Sequence, residues 1–338
     1  MNNDGVDALG HLHAEDMAMP PDDFLRNEPE GSIFHKAFQA SEIEGFDCRY
    51  LAVFRDGQRV AVVPYFLGEL RLNTMLSGGL FKLILSPFKI HIACVGHPSM
   101  DFGLIDGEIS ADILALVNVI LGKKAALIAY KGFTGKLPLP GLVCARGLPV
   151  PVLTLKGDYY SELDGHRRND FKHKLEKAQP LHIEECSNLP EHLLPQVFKL
   201  YLNTYSQAPL KFEKLTLAYF RETAPISNYL LFFEADALIG FVQIIGKNKK
   251  AVFKYVGMDY RRNRQYGLYY VMCLKCIEAC LRDGYKHLEL GVTSYHFKRL
   301  LGSQMVETSI YYRHNNALIH WLIGKLKFLL EPDEDELC

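Results

Sequence analysis

The chain has 338 residues, of which 49% are hydrophobic and 23% charged, and its formal net charge is -1. This length and ordinary globular composition predict two domains. The near-neutral balance excludes a global electrostatic reason to bind nucleic acid or an acidic membrane. Eight cysteines are scattered through a chain that has enough apolar residues for a core, which favours reduced thiols in a cytoplasmic protein.

No targeting or membrane-spanning segment is expected. The N-terminus lacks an apolar signal-peptide core, and no apolar run reaches the roughly 18 residues of a spanning helix. The two longest apolar patches, residues 80–88 and 317–330, are both interrupted by lysine. Residues 1–31 carry eight acidic residues against Arg26, which predicts a flexible acidic arm or an irregular segment that wraps on the protein.

The first half, residues 32–155, is predicted to form one domain with a mixture of strands and helices. Two strand-like runs, 49–54 and 59–66, flank an Asp-Gly turn and predict a β-hairpin. A helix over 109–122, a buried strand over 125–130 and a closing strand over 149–155 follow.

The second half, residues 156–338, has the clearer pattern. A helix is predicted from Ser161, because Asp164 follows three residues later. The further predicted elements are helices near 190–206 and 213–223, strands at 228–234, 238–245 and 251–258, a helix at 267–282, a strand at 286–290, a helix at 294–301, a strand at 306–313 and a helix at 317–330. The first half repeats more weakly this order of antiparallel strands, helix and strand.

Three arginines, Arg261, Arg262 and Arg264, precede the predicted 267–282 helix. Positive charges oppose the dipole at a helix start, so a bound anion would relieve them. A solvated basic turn is the alternative. The segment 166–178 carries five basic residues against two acidic ones and follows a Tyr-Tyr pair, which suits either a solvated face or a surface for nucleotide or RNA.

The cysteines Cys273, Cys276 and Cys280 fall on one face of a predicted helix. No further ligands stand at zinc-like spacing, so we expect core thiols and no metal. The sequence also has no P-loop, no Gly-x-Ser-x-Gly and no His-Glu-x-x-His motif. NTPase, hydrolase and metalloprotease activities therefore lose their usual support.

Several segments resemble the GNAT-like acyltransferases of the FemAB/CelD-related class. They are PSMDFGLI (98–105), HRRNDFKHKLEKA (166–178), YVGMDYRRNRQYGLYYVMCLKCIEACLRDGYKHLELG (255–291) and SYHFKRLLGS (294–303). The resemblance extends over residues 95–312. It implies an α/β fold with α+β mixed sheets, made of two tandem GNAT-like domains, of which the second holds the acyl donor.

The resemblance assigns the donor site to Arg262, Arg264, Gly267, Leu268 and Tyr269. GNAT donor loops read Arg/Gln-x-x-Gly-x-Gly/Ala, and Arg264 and Gly267 match the first and fourth of these positions. A glycine permits close backbone approach, and the helix start offers N–H groups to a pyrophosphate. Tyr269 replaces the last small residue, a departure compatible with a carrier-protein thioester or an aminoacyl-tRNA as donor.

The predicted catalytic residues are Glu289, Lys298, Tyr255 and Tyr295. Glu289 ends the predicted strand 286–290, and burial in a cleft would raise its pKa towards that of a useful general base. Lys298 would orient a carboxylate or phosphate, or stabilise an oxyanion. A solvent-facing strand end and a surface helix are the alternatives for these residues.

The predicted substrate-binding residues are Asp101, His97, Arg167, Arg168 and His296. An Asp in a loop flanked by Gly and Pro is ordinarily a turn former. The family resemblance is what makes Asp101 a candidate for binding the acceptor.

Together these features predict an N-acyltransferase that uses an acyl thioester, either acyl-CoA or an acyl carrier protein, and an amine of a small molecule or peptide. Acyl-CoA would be a co-substrate, and no permanently bound cofactor is expected. Two alternatives stay open: a Fem-like transferase that uses aminoacyl-tRNA, and a GNAT-like protein that only binds. The helix at 317–330 is expected to pack on the body of the protein, with a membrane-surface face as the alternative.

Overall fold

A computed structural model of the chain describes residues 12–71, 89–138, 140–208 and 211–333. The chain forms two compact units. Unit 1 comprises Met1–Phe24, Glu44–Val150 and Val306–Cys338, and unit 2 comprises Leu25–Ile43 and Pro151–Met305. The apolar patch at 80–88 and the first eleven residues of the acidic arm lie outside the described residues.

In chain order the elements are β1 (Leu12–Met17), α1 (Ser32–Ala40), β2 (Phe46–Arg55), β3 (Gln58–Arg71), β4 (Lys89–Val95), β5 (Asp106–Gly107), α2 (Ala111–Gly122), β6 (Leu127–Phe133), β7 (Val143–Arg146), β8 (Val150–Thr154), α3 (Gly165–Lys177), β9 (His182–Ser187), α4 (Leu194–Gln207), α5 (Leu217–Thr223), β10 (Asn228–Glu234), β11 (Ala237–Lys247), β12 (Lys250–Met258), α6 (Tyr260–Tyr266), α7 (Leu268–Arg282), β13 (His287–Glu289), α8 (Tyr295–Leu300), β14 (Gln304–Val306), β15 (Ser309–His314) and α9 (Ala317–Lys325). Short 3-10 turns at Tyr159–Glu162 and Lys327–Leu330 precede α3 and follow α9. Among the described residues, no helix is long and apolar enough to cross a membrane.

The sheet of unit 1 has the strand order β1-β2-β3-β4-β6-β15-β7, and β5 pairs with β3 beside this path. The predicted hairpin is confirmed as β2 and β3, joined at Asp56 and Gly57. Both of these residues have a positive φ, as a tight two-residue hairpin turn requires. β4 and β6 are parallel, since α2 crosses between them and packs its apolar side chains on the sheet.

The sheet of unit 2 has the order β14-β8-β13-β12-β11-β10-β9. The predicted meander is confirmed as the antiparallel strands β10, β11 and β12. After it, α7 crosses the sheet, and β13 then pairs in parallel with β12. Helix α7 is buried along most of its length, which explains why its sequence is apolar on nearly every turn. Each unit therefore repeats one plan: three antiparallel strands, a helix and a parallel strand.

The compact units differ from the contiguous predicted domains 32–155 and 156–338 because two strands lie in the other half's sheet. β8 was predicted to close the first half, but it pairs with β13 in unit 2, where Leu153 lies opposite Leu288. β15 comes from the end of the chain, yet it lies between β6 and β7 in unit 1. Strands take the open sheet edge that their register and hydrophobic face fit, whatever their distance in sequence.

The predicted flexible arm is wrong for its described part. Residues Leu12–Met17 form β1, which pairs antiparallel with β2. Its Asp16 binds Arg49 and Lys124 at 2.9 and 2.8 Å, so these acidic residues are held by partners rather than by solvent. The segment Leu25–Ile43 is ordered in unit 2, where Phe34 and other side chains of α1 are buried.

The predicted start of the basic helix at Ser161 is also wrong. Residues Tyr159–Glu162 form a 3-10 turn, and α3 begins after Asp164. The Asp164 side chain accepts a hydrogen bond from the backbone N–H of Arg167 at 2.9 Å. A carboxylate accepts hydrogen bonds well from the unpaired N–H groups of a helix start. Asp164, rather than Ser161, therefore caps α3 and sets where it begins.

Candidate functional site

The parallel strands β12 and β13 separate at their carboxyl ends. They pair only through Lys250–Val252 and His287–Glu289, although β12 continues to Met258. Beyond Val252 the backbone of β12 no longer meets β13. Ligands of open α/β sheets bind outside the carboxyl ends of the parallel strands, so this separation is the candidate site.

A buried lysine is anchored where β13 ends. Lys298 of α8 is 1% exposed, and its Nζ donates to the carbonyl oxygen of Gly291 at 2.8 Å. Glu289, the last residue of β13, is half-buried. Burial raises the pKa of the neighbouring Cys273 thiol to about 12, and the charge of Lys298 opposes this rise. A cation and a carboxyl group are thus held at the end of one strand.

The start of α7 packs against α8 through aromatic rings. The rings of Tyr269 and Tyr270 lie 5.5 and 4.1 Å from that of Phe297, measured between centroids. Burial raises the pKa of Tyr269 well above its usual value. Tyr295 is buried on the same short helix as Lys298. Tyr269, Tyr295 and Lys298 therefore lie on two helices that pack together through Phe297, whereas His296 of α8 is exposed.

The predicted arginine turn is a short helix, α6, whose start is capped by Asp259. Arg262 is held by Glu234 at 2.6 Å and by Gln265 at 3.0 Å. Arg264 is exposed, and it forms no ion pair within the described part of the chain. Arg264 is therefore better placed than Arg262 to meet an external anion.

Three of the first four N–H groups of α7, those of Tyr269, Tyr270 and Val271, already have acceptors. Gly267 has a φ of 63°, ends α6 and starts α7, and its carbonyl oxygen accepts from the N–H groups of Tyr270 and Val271 at 2.9 and 3.2 Å. The side-chain oxygen of Asn263 accepts from the N–H of Tyr269 at 3.0 Å. Leu268, the remaining predicted donor-site residue, is fully buried. A pyrophosphate at this helix start would have to displace the Asn263 side chain.

Tyr255 does not join the Lys298 group but faces α4 and α5. Its hydroxyl donates to Glu213 at 2.7 Å. Its ring meets the rings of Tyr201 and Tyr219 edge-on, at 6.1 and 5.4 Å between centroids. Tyr255 thus belongs to an aromatic cluster on the other side of β12 from α7.

A buried ion pair, which the sequence pattern did not predict, lies beside Tyr255. Lys254 binds Glu30 at 2.5 Å, and their side chains are only 5% and 7% exposed. The Lys254 Nζ lies 4.9 Å from the centre of the Phe34 ring. Pairing with β11 skips Lys254, so it is the extra residue of a β-bulge, a feature common beside functional sites. The available signal was a lysine inside the apolar run AVFKYVGM.

The two predicted arginines of α3 are used inside unit 2. Arg168 donates to the carbonyl oxygens of Tyr160, Ser161 and Leu163 at 3.0–3.3 Å. Arg167 pairs with Asp164 at 2.7 Å. Both guanidinium groups therefore brace the turn that precedes α3.

The tyrosines before α3 are also packed within the unit. Tyr159 is buried, and its hydroxyl donates to the carbonyl oxygen of Leu301 at 3.0 Å. Tyr160 donates to Glu278 at 2.6 Å. These rings are not presented as a stacking surface, which weakens the hypothesis of an RNA-binding face on α3.

No family model matches the chain, and no curated protein matches it in sequence. Solved structures match its fold. FemX is 12% identical, with a TM-score of 0.55, and the match covers 92% of this chain and all of FemX. L-PGS from Bacillus licheniformis is 11% identical, with a TM-score of 0.52 and coverage of 85% of this chain and 90% of that one. The C-terminal domain (DUF2156) of a putative lysylphosphatidylglycerol synthetase from Agrobacterium fabrum is 13% identical, with a TM-score of 0.51 and coverage of 80% and 85%.

The chain shares its fold with FemX and with the lysylphosphatidylglycerol synthetase domain, and each of its two units has a GNAT-like order of strands and helices. The predicted α/β fold class is therefore confirmed. At these identities the similarity concerns the fold, and the chemistry must be argued from the residues of this chain.

In unit 1, the space beyond the parallel strands β4 and β6 is filled by a loop of the unit itself. Beyond Val95, the loop that follows β4 packs against the end of β6: Gly103 N–H donates to the carbonyl oxygen of Gly132 at 2.8 Å. A Cβ on Gly132 would lie 2.3 Å from the carbonyl oxygen of Asp101, so only glycine fits there. Lys131 ties the same loop by donating to the carbonyl oxygen of Met100 at 2.8 Å.

The predicted acceptor residues His97 and Asp101 lie in this loop of unit 1. His97 is 3% exposed, and its Nδ1 accepts from the N–H of Ser99 at 3.2 Å. Asp101 is half-buried. His97 therefore shapes the loop, and the Asp101 carboxylate is the better candidate for binding a ligand.

The cysteines of α7 face the core of unit 2, as predicted. Cys273, Cys276 and Cys280 are at most 1% exposed. Within the described residues no group of His, Cys, Asp and Glu is arranged to hold a metal ion.

Proposed function

We propose that the protein transfers an acyl group from a thioester, carried by coenzyme A or by an acyl carrier protein, to an amine of a small molecule or peptide. The observation that carries this proposal is the separation of β12 from β13 after Val252 and Glu289. A separated strand exposes backbone N–H and C=O groups, which bind an extended, amide-containing arm as an added strand would be bound. The reduced cysteines suit a cytoplasmic setting.

The proposed chemistry is direct attack of the amine on the acyl carbonyl. Glu289 accepts the proton of the ammonium group, directly or through a water molecule, and the free amine forms the new C–N bond. Backbone N–H groups of Tyr255–Met258 stabilise the oxyanion of the tetrahedral intermediate, and Lys298 supplies a positive charge where β13 ends. The C–S bond then breaks, and the thiolate takes up the proton that the nitrogen loses.

The other predicted residues have supporting roles in this proposal. Arg264 binds the phosphates of the donor, because its charge is exposed and has no ion pair in the described residues. Asp101 of unit 1 remains a proposed contact of the acceptor substrate. Tyr269 packs on Phe297 of α8 and so helps to fix the helix that carries Tyr295 and Lys298.

A second donor is favoured by one observation, the occupied start of α7. Asn263 and Gly267 already accept the N–H groups that would otherwise hold a pyrophosphate. An aminoacyl-tRNA presents an ester and needs no pyrophosphate at this helix start. The same attack would then break a C–O bond and release the tRNA hydroxyl.

A thermal-shift experiment separates these donors. Acetyl-CoA or a longer acyl-CoA at a hundred times its Kd should stabilise the protein by about 2.7 kcal/mol and raise its Tm. Arg264→Glu should abolish this shift, whereas Arg26→Glu, at another exposed arginine of unit 2, should retain it. A shift with aminoacyl-tRNA alone would replace the thioester proposal, and no shift with any donor would favour a protein that only binds.

The proposed base is tested by kinetics once a donor is known. Glu289→Gln keeps the shape of the side chain but removes its basicity, so kcat should fall by roughly 10²–10⁴-fold with little change in Tm. Asp101→Ala should mainly raise KM for the acceptor, since it removes a contact present before and during the reaction. An unchanged kcat in Glu289→Gln would remove Glu289 from the mechanism.

A further inference from the structure

The last helix of unit 1 carries an unusual concentration of exposed apolar side chains. Leu318, Trp321 and Phe328 are 66%, 56% and 61% exposed. Of the eleven large hydrophobic side chains exposed among the described residues, six lie within residues 318–328. Single exposed apolar residues are normal on protein surfaces, but a contiguous patch marks an interaction site.

The apolar row of α9 points away from the protein. Leu318, Trp321, Leu322 and Lys325 stand at i, i+3, i+4 and i+7, which places them on one face. All four are exposed, and no residue of α9 is buried. The opposite face rests on β7, where Gly324 approaches Val143. The helix therefore packs on unit 1 through one face, as predicted, while its large apolar side chains on the other face are exposed to solvent.

Two lysines flank this face, and five acidic residues follow in the chain at positions 331 and 333–336, so apolar insertion rather than net charge carries the fit to lipid. The Lys325 Nζ lies 5.7 Å from the Trp321 ring, and Lys327 is exposed in the following 3-10 turn. Lysines with long apolar stems and tryptophans are the side chains that sit at the boundary between lipid and water. The first of these acidic residues, Glu331, is bound to Arg146 at 3.2 Å.

The size of the surface also favours lipid over a second protein chain. A stable protein interface uses about 20–30 residues on each side. The exposed apolar residues here span one helix and one turn, which is enough for shallow insertion into a lipid surface. We propose that residues 317–330 dock unit 1 onto a phospholipid bilayer, with Leu318, Trp321 and Leu322 inserted among the headgroups.

Trp321 is the only tryptophan of the chain, so its fluorescence reports on this surface alone. On adding vesicles of phosphatidylcholine and phosphatidylglycerol to the full chain, we expect a blue shift of the emission and co-sedimentation of the protein. The double variant Leu318→Glu/Leu322→Glu keeps Trp321. It should bind about 100-fold more weakly, because each leucine that inserts contributes at least a tenfold gain in partitioning.

The matched control is Ile109→Glu/Val119→Glu. These residues are 42% and 44% exposed elsewhere in unit 1, so vesicle binding should be unchanged. Equal binding by the two double variants, or no change in Trp321 emission with vesicles, would overturn the proposal. A dimer in solution that Leu318→Glu/Leu322→Glu abolishes would instead assign the surface to a second copy of the chain.

Discussion

At the residue scale, unit 2 encloses a histidine that cannot be charged. His35 of α1 is fully buried, and its pKa is lowered to about 3, first by burial and then by the charge of Lys254. The folded protein therefore keeps the His35 imidazole neutral at pH values where the unfolded chain already protonates it. This makes His35 a source of acid sensitivity.

The pH dependence follows from the difference between the usual pKa of 6.5 and the folded value of about 3. Between these values the unfolded chain binds the extra proton, so stability is present above pH 6.5 and is lost as the pH falls towards 3. From pH 7 to pH 5 the loss due to His35 should be about 2 kcal/mol. Urea unfolding of His35→Gln at both pH values should show a loss smaller by this amount.

The exposed His192 provides the control for this titration. His192→Gln makes the same chemical change at an exposed side chain, so comparing the two variants isolates the effect of burying the imidazole. If His35→Gln behaved like His192→Gln, His35 would not be neutral in the folded protein.

At the scale of elements, two ion pairs join the segment Leu25–Ile43 to strand β12. Lys250 binds Glu28 at 2.7 Å in a pair whose side chains are 46% and 26% exposed. Lys254, at the bulge of the same strand, binds Glu30 in a pair that is almost completely buried. Strand β12 therefore carries two Lys–Glu ion pairs, one partly exposed to solvent and one buried.

Removing the lysine should have very different costs at these two positions. Lys254→Met leaves Glu30 buried and unpaired, so unfolding free energy should fall by about 3–5 kcal/mol. Lys250→Met should cost less than about 1 kcal/mol, since water solvates the remaining carboxylate. Chemical denaturation of both variants makes the comparison, and similar losses would show that the Lys254 site admits water.

At the scale of the whole molecule, the chain is not divided at one point. The sheet of unit 1 holds β15 from the end of the chain between β6 and β7, and the sheet of unit 2 holds β8 from the first half beside β13. Each sheet would lose an internal strand if the chain were cut between residues 155 and 156. An opened sheet exposes unpaired N–H and C=O groups and apolar side chains.

The fragments 1–155 and 156–338 should therefore not fold alone. We expect each to lack a cooperative thermal transition, because 1–155 has no β15 and 156–338 has no β8. Co-expression of the two fragments should restore the transition, since every strand is then present. A cooperative transition in fragment 1–155 by itself would contradict the strand exchange.

Much of the fold was predictable from local pattern. The meander β10–β11–β12, helix α7 and the β2–β3 hairpin came from apolar runs bounded by polar turns, which short-range physics controls. β4 and β9 were not predicted. The residues of β9 are mostly polar and exposed, and only the second half of β4 is buried, so neither strand shows a clear apolar pattern. At the site, Lys298 was found because it matched a short motif. The role of Lys254 was not predicted, because its ion-pair partner Glu30 lies 224 residues away in the chain.

The sequence by itself determined the β10–β12 meander, the β2–β3 hairpin, the apolar helix α7 and the kinds of residue available for transfer chemistry. These depend on the alternation of side chains over a few positions, which a chain carries wherever it folds. The tertiary structure decided which sheet β8 and β15 joined. It also decided that Arg168 donates its hydrogen bonds to backbone carbonyl groups, and that β12 and β13 separate whereas the loop after β4 packs against β6. Those outcomes depend on contacts between residues far apart in the chain, and their energies are set by burial, which no local pattern contains.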